Sequence, residues 1–381
     1  MQHVKIRKAL AKGALALAAL CCHQAPLRAQ PGPAGLVSPV VLPAFDEHAP
    51  VCAAPPGLKR ELAFAQDNDR QFMQGVARGL AAAAQDRGLA FRAAVAANDA
   101  QKMIEQVREF GDAKVGAVIA APVDPMSLAR SLQEVIWAGG YVGTVVPPPA
   151  TTILNAPQYL TGKVLGDAAA AYIRKELGGK ANVVLLTHDS LQFLAPRFVA
   201  MRDSLRGMPD VTIVADISPL TVNEAGGFAM MQTVLLANPK VDVVLGADTV
   251  VLGALAALRA ANKVHPKQFL GGIDGEPQAV AEIKAGGPYK TTVSLNSPVF
   301  GYALGNNAAD WLEGKSVPQA MDILPKLLTA QNMPGYEADL ASPGDVFKDP
   351  ARRASYLKMY GNICYDTRDR YLNFPWSSER K

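Results

Sequence analysis

The residue best placed for chemistry is Asp274. It closes the apolar run Phe269-Leu270-Gly271-Gly272-Ile273 and precedes Gly275-Glu276-Pro277, a pattern that predicts a buried strand, a glycine turn and a helix with Pro277 in its first turn. The carboxylate is therefore expected at the carboxyl edge of a strand, where in open α/β sheets loops and helix amino termini converge over a crevice. There it either accepts hydrogen bonds from a polyhydroxylated ligand or caps the helix that follows. Signatures of catalysis are missing: the chain has no Gly-x-Ser-x-Gly elbow, no P-loop and no His-Glu-x-x-His. His48, His188 and His265 are too scattered for a dedicated zinc site, and the residues call for no cofactor.

Strand and helix alternate on both sides of this segment. Strands are expected over 61–66, 89–96, 115–121, 141–146 and 152–155, with helices over 70–87, 99–110 and 124–137 between the first four. The rhythm then restarts, with helices over 159–177, 195–206, 223–237, 249–261 and 278–285 and strands over 182–187, 211–216, 241–246, 269–273 and 291–295. A helix over 298–312 and a strand over 320–327 follow. This spacing favours parallel βαβ units with right-handed crossovers. Roughly 350 residues exceed what one core serves, so two doubly wound lobes are expected. Residues 331–381 break the pattern at Pro334, Pro343 and Pro350, with one short helix expected near 352–360. The aromatics Tyr356, Tyr360, Tyr365, Tyr371, Phe374 and Trp376 read as packing of that extension onto a lobe.

The amino end reads as a targeting segment. Lys5, Arg7, Lys8 and Lys12 precede the apolar stretch 13–22, too short to span a bilayer, and Leu27-Arg28-Ala29 offers small-residue cleavage before Gln30. Cys21 invites a lipoprotein reading, but Leu20 stands where a small residue is expected. Residues 1–29 are therefore taken as a cleaved secretory signal and 30–57 as an extended, Pro-rich and Ala-rich arm. The signal holds five of the chain's 38 Lys and Arg and none of its 34 Asp and Glu, so export leaves 33 basic against 34 acidic residues. That balance excludes a nucleic-acid partner. Cys52 and Cys364 remain, at opposite ends of the exported chain, either as a disulfide stapling the two extensions or as inert thiols.

Several motifs stand in a recognisable order: Phe72 at the start of the first long helix, Met231-Gln232-Thr233-Val234-Leu235-Leu236-Ala237-Asn238-Pro239, Gly246-Ala247-Asp248 followed by Leu252-Gly253-Ala254-Leu255, and Gly272-Ile273-Asp274-Gly275-Glu276-Pro277. Over about residues 58–328 the chain resembles the ribose-binding-protein-like substrate-binding proteins of ABC transporters, which have the type I periplasmic binding fold. The resemblance implies two α/β lobes joined by three hinge crossings, near Asn155, near Leu295-Asn296 and over 323–327. Residues 58–154 plus 297–322 would form lobe 1, residues 155–296 plus 323–330 lobe 2, and residues 331–381 a carboxyl-terminal extension. It also implies a ligand in the cleft between lobes: Phe72 stacking on a sugar ring, Arg197 offering forked donors and Asp274 accepting from hydroxyls. Asp248 is left between a ligand contact and a helix cap, and Asn296 stands beside the hinge position held here by Leu295. Ala121 and the run Val146-Pro147-Pro148-Pro149 replace polar ligand groups of ribose binders. Gln66, Asp67, Asn68 and Arg70 on the first loop are candidate replacements, their alternative being a solvated turn. His188, ahead of Asp189 at a strand end, is either a further ligand group or a loop residue.

These readings converge on a non-catalytic, monomeric solute receptor in the periplasm. It would bind a sugar, polyol or similar small polar molecule and deliver it to an inner-membrane ABC permease and its ATPase. The alternatives are a sensor presenting its closed form to a membrane receptor, and a secreted α/β enzyme using Asp274, Asp248 or His188.

Overall fold

A computed structural model describes residues 32, 34–145 and 149–379. The expected signal segment, and the end of the fourth strand with the first two prolines after it, lie outside these residues. The chain folds into two parallel-sheet α/β lobes. The first begins with β1 (Lys59–Gln66), α1 (Gln71–Arg87), β2 (Ala90–Val95), α2 (Ala100–Asp112), β3 (Val115–Ala120), α3 (Pro125–Trp137), β4 (Tyr141–Thr144) and β5 (Thr152–Asn155). The second contains α4 (Gln158–Glu176), β6 (Ala181–Leu186), α5 (Ala195–Leu205), β7 (Val211–Ile217), α6 (Glu224–Ala237), β8 (Val243–Leu245), α7 (Asp248–Ala260), β9 (Phe269–Asp274), α8 (Pro277–Lys284) and β10 (Tyr289–Ser294). The chain then runs through α9 (Ser297–Leu312), β11 (Ala320–Ile323), β12 (Lys326–Leu328), α10 (Met333–Ala341), α11 (Pro343–Lys348), α12 (Pro350–Ala354) and β13 (Leu357–Tyr360). Among the described residues no helix is long and apolar enough to cross a membrane.

Local chemistry accounts for the main boundaries. All six residues of β3, Val115–Ala120, are buried, as expected of a parallel strand covered on both faces. Asp99 and Asp124 cap α2 and α3 by accepting from the backbone amides of Lys102 and Met126 at 3.0 Å each. Gly88 ends α1 in the left-handed conformation, φ 63°, which costs glycine nothing. The sheets run β13-β11-β5-β4-β3-β1-β2 and β12-β10-β9-β8-β6-β7, parallel except at β13 and β12. α9 packs against α1 on the first sheet, where its Trp311 is fully buried and donates to the Gly139 carbonyl at 2.9 Å.

Two expectations are corrected. The single strand foreseen over 320–327 is two: β11 lies parallel to β5 in the first sheet, and β12 antiparallel to β10 in the second. Pro325 stands between them without an amide to donate, so the ladder breaks there. The tail is also more regular than its prolines suggested. Pro334, Pro343 and Pro350 fall in the first turns of α10, α11 and α12, where a missing amide is harmless, and the helix foreseen near 352–360 gives way to β13. β13 extends the first sheet as an antiparallel edge, pairing Leu357–Tyr360 with Ala320–Ile323. Tyr356, Tyr371 and Trp376 are buried in the same core, and a disulfide joins Cys52 to Cys364.

Candidate functional site

The carboxyl edges of the two sheets carry the polar residues the sequence singled out. On the second sheet β9 ends at Asp274, whose backbone has φ 117°, with Gly275 at φ 73° beyond it. A non-glycine residue in that region is strained and persists only where its surroundings enforce it. Asp248 supplies the enforcement from beneath. Fully buried, it accepts from the Glu276 amide at 2.8 Å and from the hydroxyls of Thr292 and Tyr289 at 2.7 Å each, while Thr292 Oγ1 also receives the Gly275 amide at 3.2 Å. A Cβ at Gly272 would lie 1.8 Å from Asp248 Oδ1, so only glycine leaves room for this network. Burial, opposed by those donors, pushes the Asp248 carboxyl up to about 8. Asp248 thus shapes the turn that carries Asp274; it is the first residue of α7 and not its cap, a position held by Ala247, which makes no side-chain cap bond.

Arg197 lies in the first turn of α5 and is only 6 % exposed. Its Nε donates to Gln158 Oε1 at 2.8 Å, and its backbone presses on α4 so closely that a Cβ at Gly162 would lie 1.8 Å from its carbonyl oxygen. Burial lowers the guanidinium pKa and raises that of Asp274, and each group's charge opposes the other's shift. Each charge thus favours the other's ionised form, while burial remains the larger effect on both. Among the described residues the Asp274 carboxylate accepts no hydrogen bond and the terminal Arg197 nitrogens donate none. Among the described residues the two form no direct ion pair, so open acceptors on one and open, forked donors on the other are left for the hydroxyls of a guest.

The first sheet contributes the loop after β1. Gln66 and Asn68 are 5 % and 8 % exposed. Asn68 Oδ1 accepts from the Arg70 amide at 3.0 Å and from Arg70 Nε at 2.8 Å, so it orients the arginine. Asp67 lies 3.6 Å from Arg70 Nη2, and burial raises its carboxyl pKa. Arg70 acts on the second lobe through its charge, which opposes the upward shifts that burial imposes on both Asp274 and Glu276. Phe72 is half-buried in the first turn of α1, its ring 5.8 Å from that of Phe300. Asn296 is 2 % exposed at the start of α9, in the left-handed region at φ 46°, with Oδ1 accepting from the Val299 amide at 3.4 Å.

Asp274, Arg197 and Arg70 are thus brought within electrostatic reach of one another, with Asp248 below. His188 is not: half-buried at the end of β6, it has no contact joining it to that group among the described residues, and its neighbour Asp189 is held by Arg202. Ala121 and Leu295 are buried and apolar, and Leu295 belongs to the first lobe's core. Three residues escaped the sequence reading. Gln158 orients Arg197, Glu276 sits half-buried beside Asp274, and Thr144 ends β4 fully buried with no partner for Oγ1 among the described residues. Thr144 had a signal, a hydroxyl at the carboxyl end of a strand; the other two depend on tertiary contacts.

A family model described as a periplasmic binding protein domain matches residues 62–316. The ribose import binding protein of Bacillus subtilis (strain 168) is 25% identical over 266 residues, covering 68% of this chain and 83% of the relative. The D-apiose import binding protein of Actinobacillus succinogenes is 26% identical over 228 residues, 59% of this chain and 73% of the relative. Among solved structures, an ABC transporter solute-binding protein from Bacillus halodurans C-125 with bound myo-inositol superposes with a TM-score of 0.63 at 21% identity, covering 74% of this chain and 99% of that one. A periplasmic solute-binding protein from Actinobacillus succinogenes 130z with bound D-allose gives 0.64 at 19%, covering 72% and 99%.

Proposed function

The chain belongs to the periplasmic binding protein domain family, a family of solute-binding proteins and not of enzymes, and from that premise we propose that it captures a sugar or polyol between its lobes. In this reading the exported protein delivers the ligand to an ABC permease in the inner membrane. The observation that supports the proposal is the buried Arg197, held by Gln158, and the strained Asp274 that ends β9, coupled in charge with each other and with Arg70 of the first lobe and with hydrogen-bonding capacity left unused. Within the Arg197 and Asp274 couple one positive charge answers one negative, which suits a neutral, hydroxyl-rich molecule. Gln66 and Thr144 would add polar contacts from the first sheet, Phe72 a stacking face, and Asn296 a contact at the hinge. Ala121 and Leu295 make the first lobe's half of the groove more apolar than a pentose requires. His188 and Asp248 are not needed as direct contacts.

The relatives' names supply the first panel of ligands: D-ribose, D-apiose, D-allose and myo-inositol. A ligand of this class at 100 times its dissociation constant should stabilise the protein by about 2.7 kcal/mol, read as an upward shift in melting temperature, and be recovered unchanged. Native mass spectrometry of the protein purified from its exporting host should show one small neutral molecule per chain. No stabilisation by any sugar or polyol, together with no bound mass, would overturn the reading.

A further inference from the structure

The chain passes between the sheets three times, after Asn155, after Ser294 and between Ile323 and Lys326, and then once more beyond the family match that ends at residue 316. α10 belongs to the second lobe: Met333 and Tyr336 are buried in its core, and Glu337 pairs with Lys284. α11 and β13 belong to the first: Val346, Phe347, Tyr356 and Leu357 are buried in its separate core, and Lys348 pairs with Asp86. Ser342 alone separates α10 from α11, so at one residue's reach the link has no slack.

A clasp closes over this fourth crossing. Asp339, on α10, accepts from Arg352 Nη2 at 2.6 Å through one oxygen and from the Tyr356 hydroxyl through the other. The Tyr356 ring, seated in the first lobe's core, also has Lys326 Nζ of the second sheet 4.6 Å above it, and its hydroxyl faces Asn296 at the hinge. An aromatic side chain fixed in one lobe is thus held by a carboxylate and an ammonium from the other, beside the residue where α9 begins.

We infer that residues 333–356 are a strap across the back of the hinge, with Asp339 and Tyr356 as positioning residues that restrict how far the two lobes open. The inference rests on the two-lobe binding reading for its purpose, although the restriction itself needs no ligand. Any rotation about the three strand crossings must turn α10 against α11 at Ser342 and pull Asp339 from Arg352 and Tyr356. Lobe opening is set by a balance of a few contacts, so a clasp of two hydrogen bonds is large enough to shift it.

The test is small-angle X-ray scattering of the exported, ligand-free protein. Asp339→Ala should melt cooperatively and show a larger radius of gyration and maximum dimension than wild type, with Tyr356→Phe and Arg352→Gln shifting part of the way. Arg206→Ala, which removes an ion pair within the second lobe, should scatter like wild type. The same variants should bind the stabilising sugar or polyol more weakly, because a larger part of the ensemble is open. Were Asp339→Ala to fail to fold, Tyr356→Phe and Arg352→Gln would decide. Folded variants whose scattering matches wild type overturn the strap, whereas expanded variants in a protein that binds no sugar would uphold it and overturn the ligand reading alone.

Discussion

Asp274 and Asp248 are aspartates of the same lobe with different work, and environment separates them. Asp274 faces two arginines and has free acceptor oxygens; Asp248 is sealed below with three donors aimed at it. The Asp248 carboxyl is pushed up to about 8 from an ordinary value of 3.8. Because the folded value is the higher one, the native state holds a proton that the unfolded chain has released between these pH values. Its contribution to stability is therefore full below the unfolded value and is lost as pH rises through about 8, at a slope of at most about 1.4 kcal/mol per pH unit. Asp248→Asn should flatten that decline in a pH series of urea unfolding curves, with Tyr289 turning its hydroxyl to accept from the new amide. A variant whose pH profile parallels wild type would remove Asp248 from this role. The sequence could display Asp274 because a strand running into a glycine turn is a local pattern. It could not separate cap from buried tether at Asp248, since that depends on Thr292 and Tyr289, more than forty residues away.

At the scale of elements, the site depends on how closely helices approach. α4 carries Gln158 and Gly162, and both press on Arg197 from one side. Gly162→Ala should force α4 and α5 apart, costing about 1–3 kcal/mol by denaturant titration and weakening ligand binding by displacing the guanidinium. Unchanged stability and affinity would mean that α4 and α5 do not approach this closely at Gly162. Periodicity revealed both helices, because their buried stripes repeat at helical spacing, but not that a glycine on one fits the backbone of the other. Turn chemistry misled in the tail for a related reason. Proline starts a helix as readily as it interrupts a pattern, and only the packing of Met333, Val346 and Phe347 decides which. The disulfide between Cys52 and Cys364 closes a separation of 312 residues. In the chain-entropy account, loss of so long a loop closure costs about 6 kcal/mol. Cys52→Ser with Cys364→Ser should lower the urea midpoint accordingly without altering ligand affinity, since neither sulfur bonds to Arg70, Arg197 or Asp274; an unchanged midpoint would mean that the surrounding bridges hold the extensions unaided.

The whole molecule is two parallel-sheet lobes, with an arm and an extension that the family match does not reach. Alternating strands and helices made the two lobes legible early, because parallel sheets covered on both faces leave long apolar strand runs. The fourth crossing was not legible, since helices as short as α11 and α12 carry too few turns for a periodic signal. The account depends most on Arg197 and Asp274 gripping one uncharged guest. Isothermal titration calorimetry with the panel sugar or polyol that most stabilises the protein tests this directly. Wild type should bind one molecule per chain, and Arg197→Ala and Asp274→Ala should each melt cooperatively yet lose at least a hundredfold in affinity, the about 2.7 kcal/mol or more expected when a buried charge loses its partner. Wild-type affinity in either folded variant would contradict the site, and with it the function proposed.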